Sequence, residues 1–467
     1  MITLRDVLEG TGGTFLGDAD QDLLLRHVRH DSRQVKPGDL FVAIVGERLD
    51  GHDFLGQASE RGAGAALVAR EHAAALTGSR LPLVVVENTT TALQHLAAYW
   101  RTLFDVQVVG ITGSVGKTST KEVIAGVLSQ RFTTVRSQGS FNNEIGVPLS
   151  LLEITPDTDA VVLEIGGAYA AGEIAALAAI ARPTIGVVTN VGHAHLERMG
   201  SIEAIAATKT ELPASLPENG VAILNGDDPR VRAMADHCRC RVIFYGEAPD
   251  CQVRATDVES HGMEGISFIL RLKGERHHIR VPLLGRHSAH TVLAALAVGM
   301  ELGMRIDEML PGFENPAIQL RLLTVPGIGG SIIIDDTYNA SPASCLAALN
   351  LLNDLEANRP IAVFGDILEL GSFEDEGHRI VGRRAAAVVG LLYTIGPRAK
   401  IIAEQAVASG LPASNVYVTD EKPELIEKLR ATLRSGDIVL VKGSRGVRME
   451  DVVEQLRDQP YRHNPVP

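Results

Sequence analysis

The run Thr112-Gly113-Ser114-Val115-Gly116-Lys117-Thr118-Ser119 packs glycines, hydroxyls and one lysine into eight residues. It follows the apolar pair Val108-Val109 and precedes a helical pattern over Glu122 to Leu128. Strand, glycine-rich turn and helix in that order let backbone N–H groups face a phosphate, because glycine has no Cβ to obstruct the approach. The helix start adds the positive end of its dipole. In such a loop Lys117 reaches β- and γ-phosphates, and the Thr118 hydroxyl holds Mg2+. Ile111 stands where the usual loop has its first glycine, so this is a shorter G-x-x-G-K-T form.

Other residues could join that chemistry. Glu164 closes the apolar run Ala160–Leu163, where a charge is costly unless it meets a cation. His195 follows the strand-like Thr184–Thr189. With Thr118 these two offer oxygen and nitrogen donors to Mg2+, which takes few protein ligands. Lys209 sits in Ala206-Ala207-Thr208-Lys209-Thr210-Glu211 and reads, from its neighbours alone, as a solvated helix lysine. Asp335-Asp336-Thr337-Tyr338-Asn339 suits ribose hydroxyls or a metal, or else a polar turn, and Arg321 suits a phosphate. Gly365-Asp366, Glu369-Leu370-Gly371 and Lys442-Gly443-Ser444-Arg445 close later strands. Near the N-terminus, Asp31-Ser32-Arg33 and Gly46–His52 are either polar turns or a site for an anionic, nucleotide-like group with Arg33 as fork donor.

These residues need elements to position them. At 467 residues the chain exceeds one ordinary core. Short apolar strands at Leu40–Val45, Ala65–Val68 and Leu83–Val86 predict a small N-terminal α/β domain over 1–87. Thr89–Phe104, with the sole tryptophan Trp100, reads as a helical linker. Alternating strands and helices then predict a central, P-loop-type, doubly wound and mostly parallel sheet over 88–312. Prolines and glycines between Pro311 and Gly330 mark a junction, and the alternation restarts as a C-terminal Rossmann-like α/β domain over 313–467. No G-x-G-x-x-G follows its first strand, which argues against a dinucleotide cofactor. Ligands in such sheets sit beyond the carboxyl ends of the strands. That rule makes Gly113–Thr118, Glu164 and Asn190–His195 neighbours. His277, His278, His287 and His290 lack accompanying cysteines and read as mostly solvated, and Asp227-Asp228-Pro229-Arg230 reads as a turn.

The balance of 44 basic and 57 acidic residues, net −13, disfavours nonspecific nucleic-acid or membrane-surface binding. Cys238, Cys240, Cys251 and Cys345 lack zinc spacing and read as reduced thiols. MITLRDVLEG carries acids where a leader peptide needs an apolar core, and no apolar run reaches the roughly 18 residues of a membrane span. A cytoplasmic protein is expected.

Several long motifs, in order, resemble the Mur ligases, ATP-dependent amide-bond-forming enzymes of peptidoglycan synthesis. They are D-S-R-Q-V-K-P-G-D-L-F (31–41), G-E-R-L-D-G-H-D-F (46–54), T-G-S-V-G-K-T-S (112–119) and S-F-N-N-E-I-G-V-P-L-S (140–150), then N-V-G-H-A-H-L-E (190–197), D-D-T-Y-N-A-S-P (335–342) and V-K-G-S-R (441–445). The resemblance covers all three expected domains and implies a monomeric ATP- and Mg2+-dependent ligase. It would join D-alanyl-D-alanine to UDP-N-acetylmuramoyl-tripeptide through an acyl phosphate. It further implies that Ser32 and Arg33 hold the uridine end, and that Asn142 and Asn143 line the muropeptide channel. Gly443, Ser444 and Arg445 are implied to contact substrate. Gly113, Ser114, Gly116, Lys117, Thr118, Ser119, Arg321, Asp336 and Asn339 would bind nucleotide. Lys117, Glu164, His195 and Lys209 would act in catalysis, with Thr118, Glu164, His195 and a carbamylated Lys209 around Mg2+. One departure stands out: the family's G-R-H-N-x-x-N is here Gly285-Arg286-His287-Ser288-Ala289-His290-Thr291, without either asparagine. A sister ligase adding one amino acid, a folylpolyglutamate-type ligase, and a nucleotide-binding protein without catalysis remain alternatives.

Overall fold

The computed structural model describes residues 1–16, 20–76, 79, 81–167, 170–314, 323–355 and 357–458. Among these the chain forms three α/β units, each on its own main sheet. The first sheet runs Thr14–Leu16, Leu83–Val86, Ala65–Ala69, Leu40–Val42, Val28–Arg29, parallel except for its first strand. A separate two-stranded ladder pairs Ile2–Thr3 with Leu24–Leu25.

In the central sheet Gln107–Thr112 is third from one edge, flanked by Ala160–Glu164 and Ile185–Val188 in parallel register. All three strands are buried along almost their whole length, as β-branched, apolar sequence requires when helices cover both faces. Helix Lys117–Leu128 packs on one face, where Val123, Ile124 and Val127 join the core formed by Ser288–Glu301. Thr134–Arg136 pairs on the other side of Ala160–Glu164, and Val221–Asn225 and Arg241–Gly246 continue beyond Ile185–Val188.

Two features depart from the sequence reading. Beyond Arg241–Gly246 the central sheet adds Val253–Ser260 and then the antiparallel strands Ile266–Leu272 and Glu275–Val281, so its alternation of strand and helix ends early. Helix Thr89–Thr102 is also no linker. Leu93, Leu96, Ala97 and Trp100 are buried in one core with Leu40 and Val84 of the first unit and Val108 and Leu163 of the second. The Trp100 indole N–H donates to Ile154 O at 3.0 Å, the partner a buried indole needs.

The third sheet runs Leu323–Gly327, Ser331–Asp336, Asp437–Lys442, Arg359–Gly365, Leu391–Ile395, Val416–Thr419. Its first strand, absent from the sequence reading, is antiparallel and the rest are parallel. The carboxyl ends of its strands face those of the central sheet across a cleft of about 1120 Å³.

Candidate active site

The glycine-rich turn takes its shape from two glycines. Gly113 has φ 146°, and a Cβ there would lie 2.0 Å from Thr189 Oγ1. Gly116 has φ 84° and starts helix Lys117–Leu128. The loop is clamped to the end of the neighbouring strand. Asn190 Oδ1 accepts from Val115 N–H at 2.9 Å, its Nδ2 donates to Val115 O at 2.9 Å, and Thr189 Oγ1 donates to the same carbonyl at 2.8 Å. Gly192 N–H donates to Ser114 Oγ at 2.8 Å. Asp228, read from sequence as part of a turn, caps the short helix Pro229–Ala233 and accepts from Val191 N–H at 2.8 Å, which steadies this neighbouring loop.

Lys117 bends back over the turn and donates to Gly113 O at 2.8 Å. One position on, the buried Thr118 hydroxyl donates to Glu164 Oε2 at 2.7 Å. Asn142 Nδ2 donates to Glu164 Oε1 at 2.8 Å, so both oxygens of this carboxylate, 2% exposed, are held. Asn143 accepts from Gly146 N–H at 2.9 Å and fixes the start of helix Gly146–Leu151.

His195 has φ 61° and caps the turn Leu196–Met199. Burial lowers its pKa, the Glu369 carboxylate bonded to it works the other way, and Lys117 and Lys209 add to the lowering. The neutral imidazole, the form that can ligate a metal, is thereby favoured.

The environment of Lys209 differs from what its sequence neighbours alone suggest. Lys209 is 3% exposed, not solvated, and its ammonium donates to Gly167 O at 2.7 Å. Burial, with the Lys117 cation as second cause, pushes its pKa down to about 7 against the pull of Glu173, Glu211 and Glu164.

From the third unit, Asp336 pairs with the buried Lys442 at 2.6 Å, and Lys442 also donates to Asn339 O at 2.9 Å. Asn339 Oδ1 accepts from Arg445 N–H at 3.3 Å. Ser114, Gly116, Lys117, Thr118 and Ser119 line the cleft together with Asn142, Asn143, Glu164 and His195, opposite Asp336 and Asn339. Ser32, Arg33, Gly443, Ser444 and Arg445 do not line it. Ser32 is buried against Gln57, and the exposed Arg33 fork is filled by Asp31 at 2.9 and 2.8 Å. That bond holds the Asp31 carboxyl down at about 2. Arg321 lies outside the described residues. Ser288 and Thr291 line the cleft, as does the exposed His287, whereas His290 is half-buried and bonded to Asp227 at 2.7 Å, unlike the solvated side chain expected.

Two participants had no site role in the sequence reading: Lys442, and Glu369, which contacts His195 at 2.6 Å. Each ends a strand or its following turn, the only signal available.

The donor set fits Mg2+. The Thr118 hydroxyl and the Glu164 carboxylate are bonded to each other beside the glycine-rich turn and the His195 imidazole lines the same cleft, and Mg2+ favours oxygen donors with room for phosphate and water.

Comparison with known proteins finds likeness along nearly the whole chain. The Mur ligase family, catalytic domain, matches residues 25–101, the Mur ligase middle domain matches 111–299, and the Mur ligase, glutamate ligase domain matches 320–445. The UDP-N-acetylmuramoyl-tripeptide–D-alanyl-D-alanine ligase of Escherichia coli (strain K12) is 36% identical, over 98% of this chain and 98% of its own. The crystal structure of MurF from Acinetobacter baumannii superposes with a TM-score of 0.84 at 29% identity, covering 97% of each chain. MurF ligase from Thermotoga maritima in complex with ADP gives 0.76 at 31% identity, covering 93% of this chain and 98% of that one. With this match running through all three units, the chain belongs to the Mur ligase family.

Proposed function

We propose that this chain is an ATP-dependent ligase joining D-alanyl-D-alanine to the free carboxylate of UDP-N-acetylmuramoyl-tripeptide. The observation that carries this reading is the single cleft in which a phosphate-binding turn, Glu164, His195 and Asp336 face one another, with Lys209 buried behind it. Full-length likeness to enzymes named for that reaction supports the choice of substrates.

The chemistry follows from charge. ATP's γ-phosphate passes to the tripeptide carboxylate, giving an acyl phosphate and ADP. The dipeptide amine then attacks the acyl carbon, and inorganic phosphate leaves as the amide forms. Both partners in the first step are anions, so the site must neutralise charge as it moves. Backbone N–H groups at the start of helix Lys117–Leu128 would receive the phosphates, and Lys117 turns from its own loop carbonyls to the transferring group. Mg2+, when bound, supplies further charge neutralisation between the phosphate oxygens. Thr118, Glu164 and the Nε2 of His195 would hold one ion, and a carbamate on Lys209 a second.

Lys209 suits that modification. An amine with a pKa of about 7 is neutral in about half of the molecules near pH 7, far more than an ordinary lysine. Its lone pair attacks the carbon of CO2, one C=O electron pair moves onto oxygen, and the nitrogen releases a proton to solvent. The cation thereby becomes an anion with oxygen donors, the kind Mg2+ prefers. Asn142 and Asn143 line the muropeptide side. Asp336 and Asn339, with Arg321, serve the nucleotide, while Ser32 and Arg33 hold the uridine end and Gly443–Arg445 the incoming dipeptide.

We assign residues 1–87 to UDP-sugar binding, 88–312 to ATP and ligation, and 313–467 to nucleotide and dipeptide. Nucleotide-linked substrates place the reaction in the cytoplasm, and one complete site per chain is consistent with a monomer. Among the described residues no helix is long and apolar enough to cross a membrane. The test is phosphate release with purified protein. It should need ATP, Mg2+, UDP-N-acetylmuramoyl-tripeptide and D-alanyl-D-alanine together. Release that is indifferent to the dipeptide would overturn the reading.

A further inference from the structure

We propose that Glu369 is a positioning residue for His195, and that through it the C-terminal unit completes the metal site of the central unit. This rests on the reading of His195 as a metal ligand.

Glu369 Oε2 lies 2.6 Å from His195 Nδ1, and Oε1 lies 3.0 Å from an Arg198 guanidinium nitrogen. An ionised carboxylate only accepts hydrogen bonds, so Nδ1 carries the imidazole proton and Nε2 keeps its lone pair. A carboxylate behind a histidine in this way fixes its tautomer and ring orientation for a metal on the other nitrogen.

The contact is built into the backbone on both sides. Glu369 has φ 64° and His195 φ 61°, a region non-glycine residues occupy only when the surroundings enforce it. Glu197 N–H donates to Glu369 O at 3.1 Å. Phe373 stacks on His193 with ring centroids 4.0 Å apart. Gly371, φ 51°, comes so close that a Cβ there would lie 3.0 Å from Glu197 Cα. Behind this surface the segment is tied to its own sheet: Leu368 N–H donates to Ser444 Oγ at 2.8 Å, and Ser444 N–H to Asp366 O at 3.0 Å. Ser444 therefore shapes the docking segment.

His195 belongs to the central unit and Glu369 to the C-terminal one, 174 residues away. Only the docked arrangement gives the histidine its partner. Metal binding and docking then favour each other by the same factor.

The test compares wild type, Glu369→Gln and Gly371→Ala. Binding of Mn2+ alone, as a paramagnetic substitute for Mg2+, is followed by electron paramagnetic resonance in the presence of ADP, and turnover is measured beside it. Glu369→Gln should weaken Mn2+ binding by about 10-fold and lower kcat by a similar factor. The KM for UDP-N-acetylmuramoyl-tripeptide should stay within about twofold. Gly371→Ala touches neither His195 nor any reacting group and lies on an exposed turn, so it should fold. By pushing the segment off Glu197 it should move Mn2+ affinity in the same direction. Unchanged Mn2+ affinity in either variant overturns the proposal. A wild type without ligase turnover overturns the functional reading instead, and the Mn2+ comparison still decides the role of Glu369.

Discussion

Lys209 shows what burial does to one charge. Its ordinary pKa is about 10.4. In the fold it is pushed to about 7 by desolvation first and Lys117 second. Between those values the unfolded chain holds the proton and the folded chain does not, so stability rises with pH across that window. Lys209→Met removes this dependence. In CO2-free, metal-free buffer the variant should melt above wild type at pH 6 to 7, by up to about 4 kcal/mol, and the gap should close towards pH 10. A gap independent of pH would contradict the shift. In the enzyme Lys209→Ala should be nearly inactive, and acetate or propionate, but not chloride at equal ionic strength, should restore part of the rate by supplying the missing oxygens. Full activity of Lys209→Arg without added acid would exclude a carbamate. Lys117→Ala should lower kcat by about 10²-fold or more with an unchanged melt, since it removes a cation from the transferring phosphate and nothing from the core.

At the scale of elements, the glycine-rich turn depends on its glycines for different reasons. At Gly113 both φ and space exclude a side chain, because a Cβ would collide with Thr189, which itself bonds Val115 O. At Gly116 only φ is at issue, since no heavy atom lies within 4 Å of the added Cβ. Gly116→Ala should therefore cost about 1 kcal/mol, and Gly113→Ala about 1–3 kcal/mol, with a KM for ATP raised at least about 10-fold. Equal effects in melts and in KM would show that the Thr189 contact does not shape the loop. This turn was legible in sequence because strand, glycines and Lys-Thr lie within a dozen residues. The parallel strands were legible too, since apolar runs such as Ala160–Leu163 admit few other readings. Edge strands were not: Glu275–Val281 carries glutamate, arginines and histidines on a half-exposed edge and lacks the apolar signature of the buried strands. Helix Thr89–Thr102 shows its period, but nothing in that period says that two units share its buried face. Glu369 and His195 follow no spacing rule, because the sheets alone bring them together.

At the scale of the molecule, the cleft exists only where the units meet. Glu47 of the first unit, the glycine-rich turn of the second and Asp336 of the third line one space. The C-terminal unit reaches His195 of the central unit through Glu369. That arrangement gives one anionic acceptor, one nucleotide and one amine a common meeting point. The most direct measurement offers the purified protein ATP, Mg2+ and UDP-N-acetylmuramoyl-tripeptide with equimolar D-alanyl-D-alanine, D-alanine, D-glutamate, lysine and diaminopimelate, and weighs the product by mass spectrometry. A single product is expected, heavier than the UDP-N-acetylmuramoyl-tripeptide by the dipeptide less one water, with one ADP formed per product. A product carrying one added amino acid, or ADP formed without any new amide, would contradict the proposed reaction.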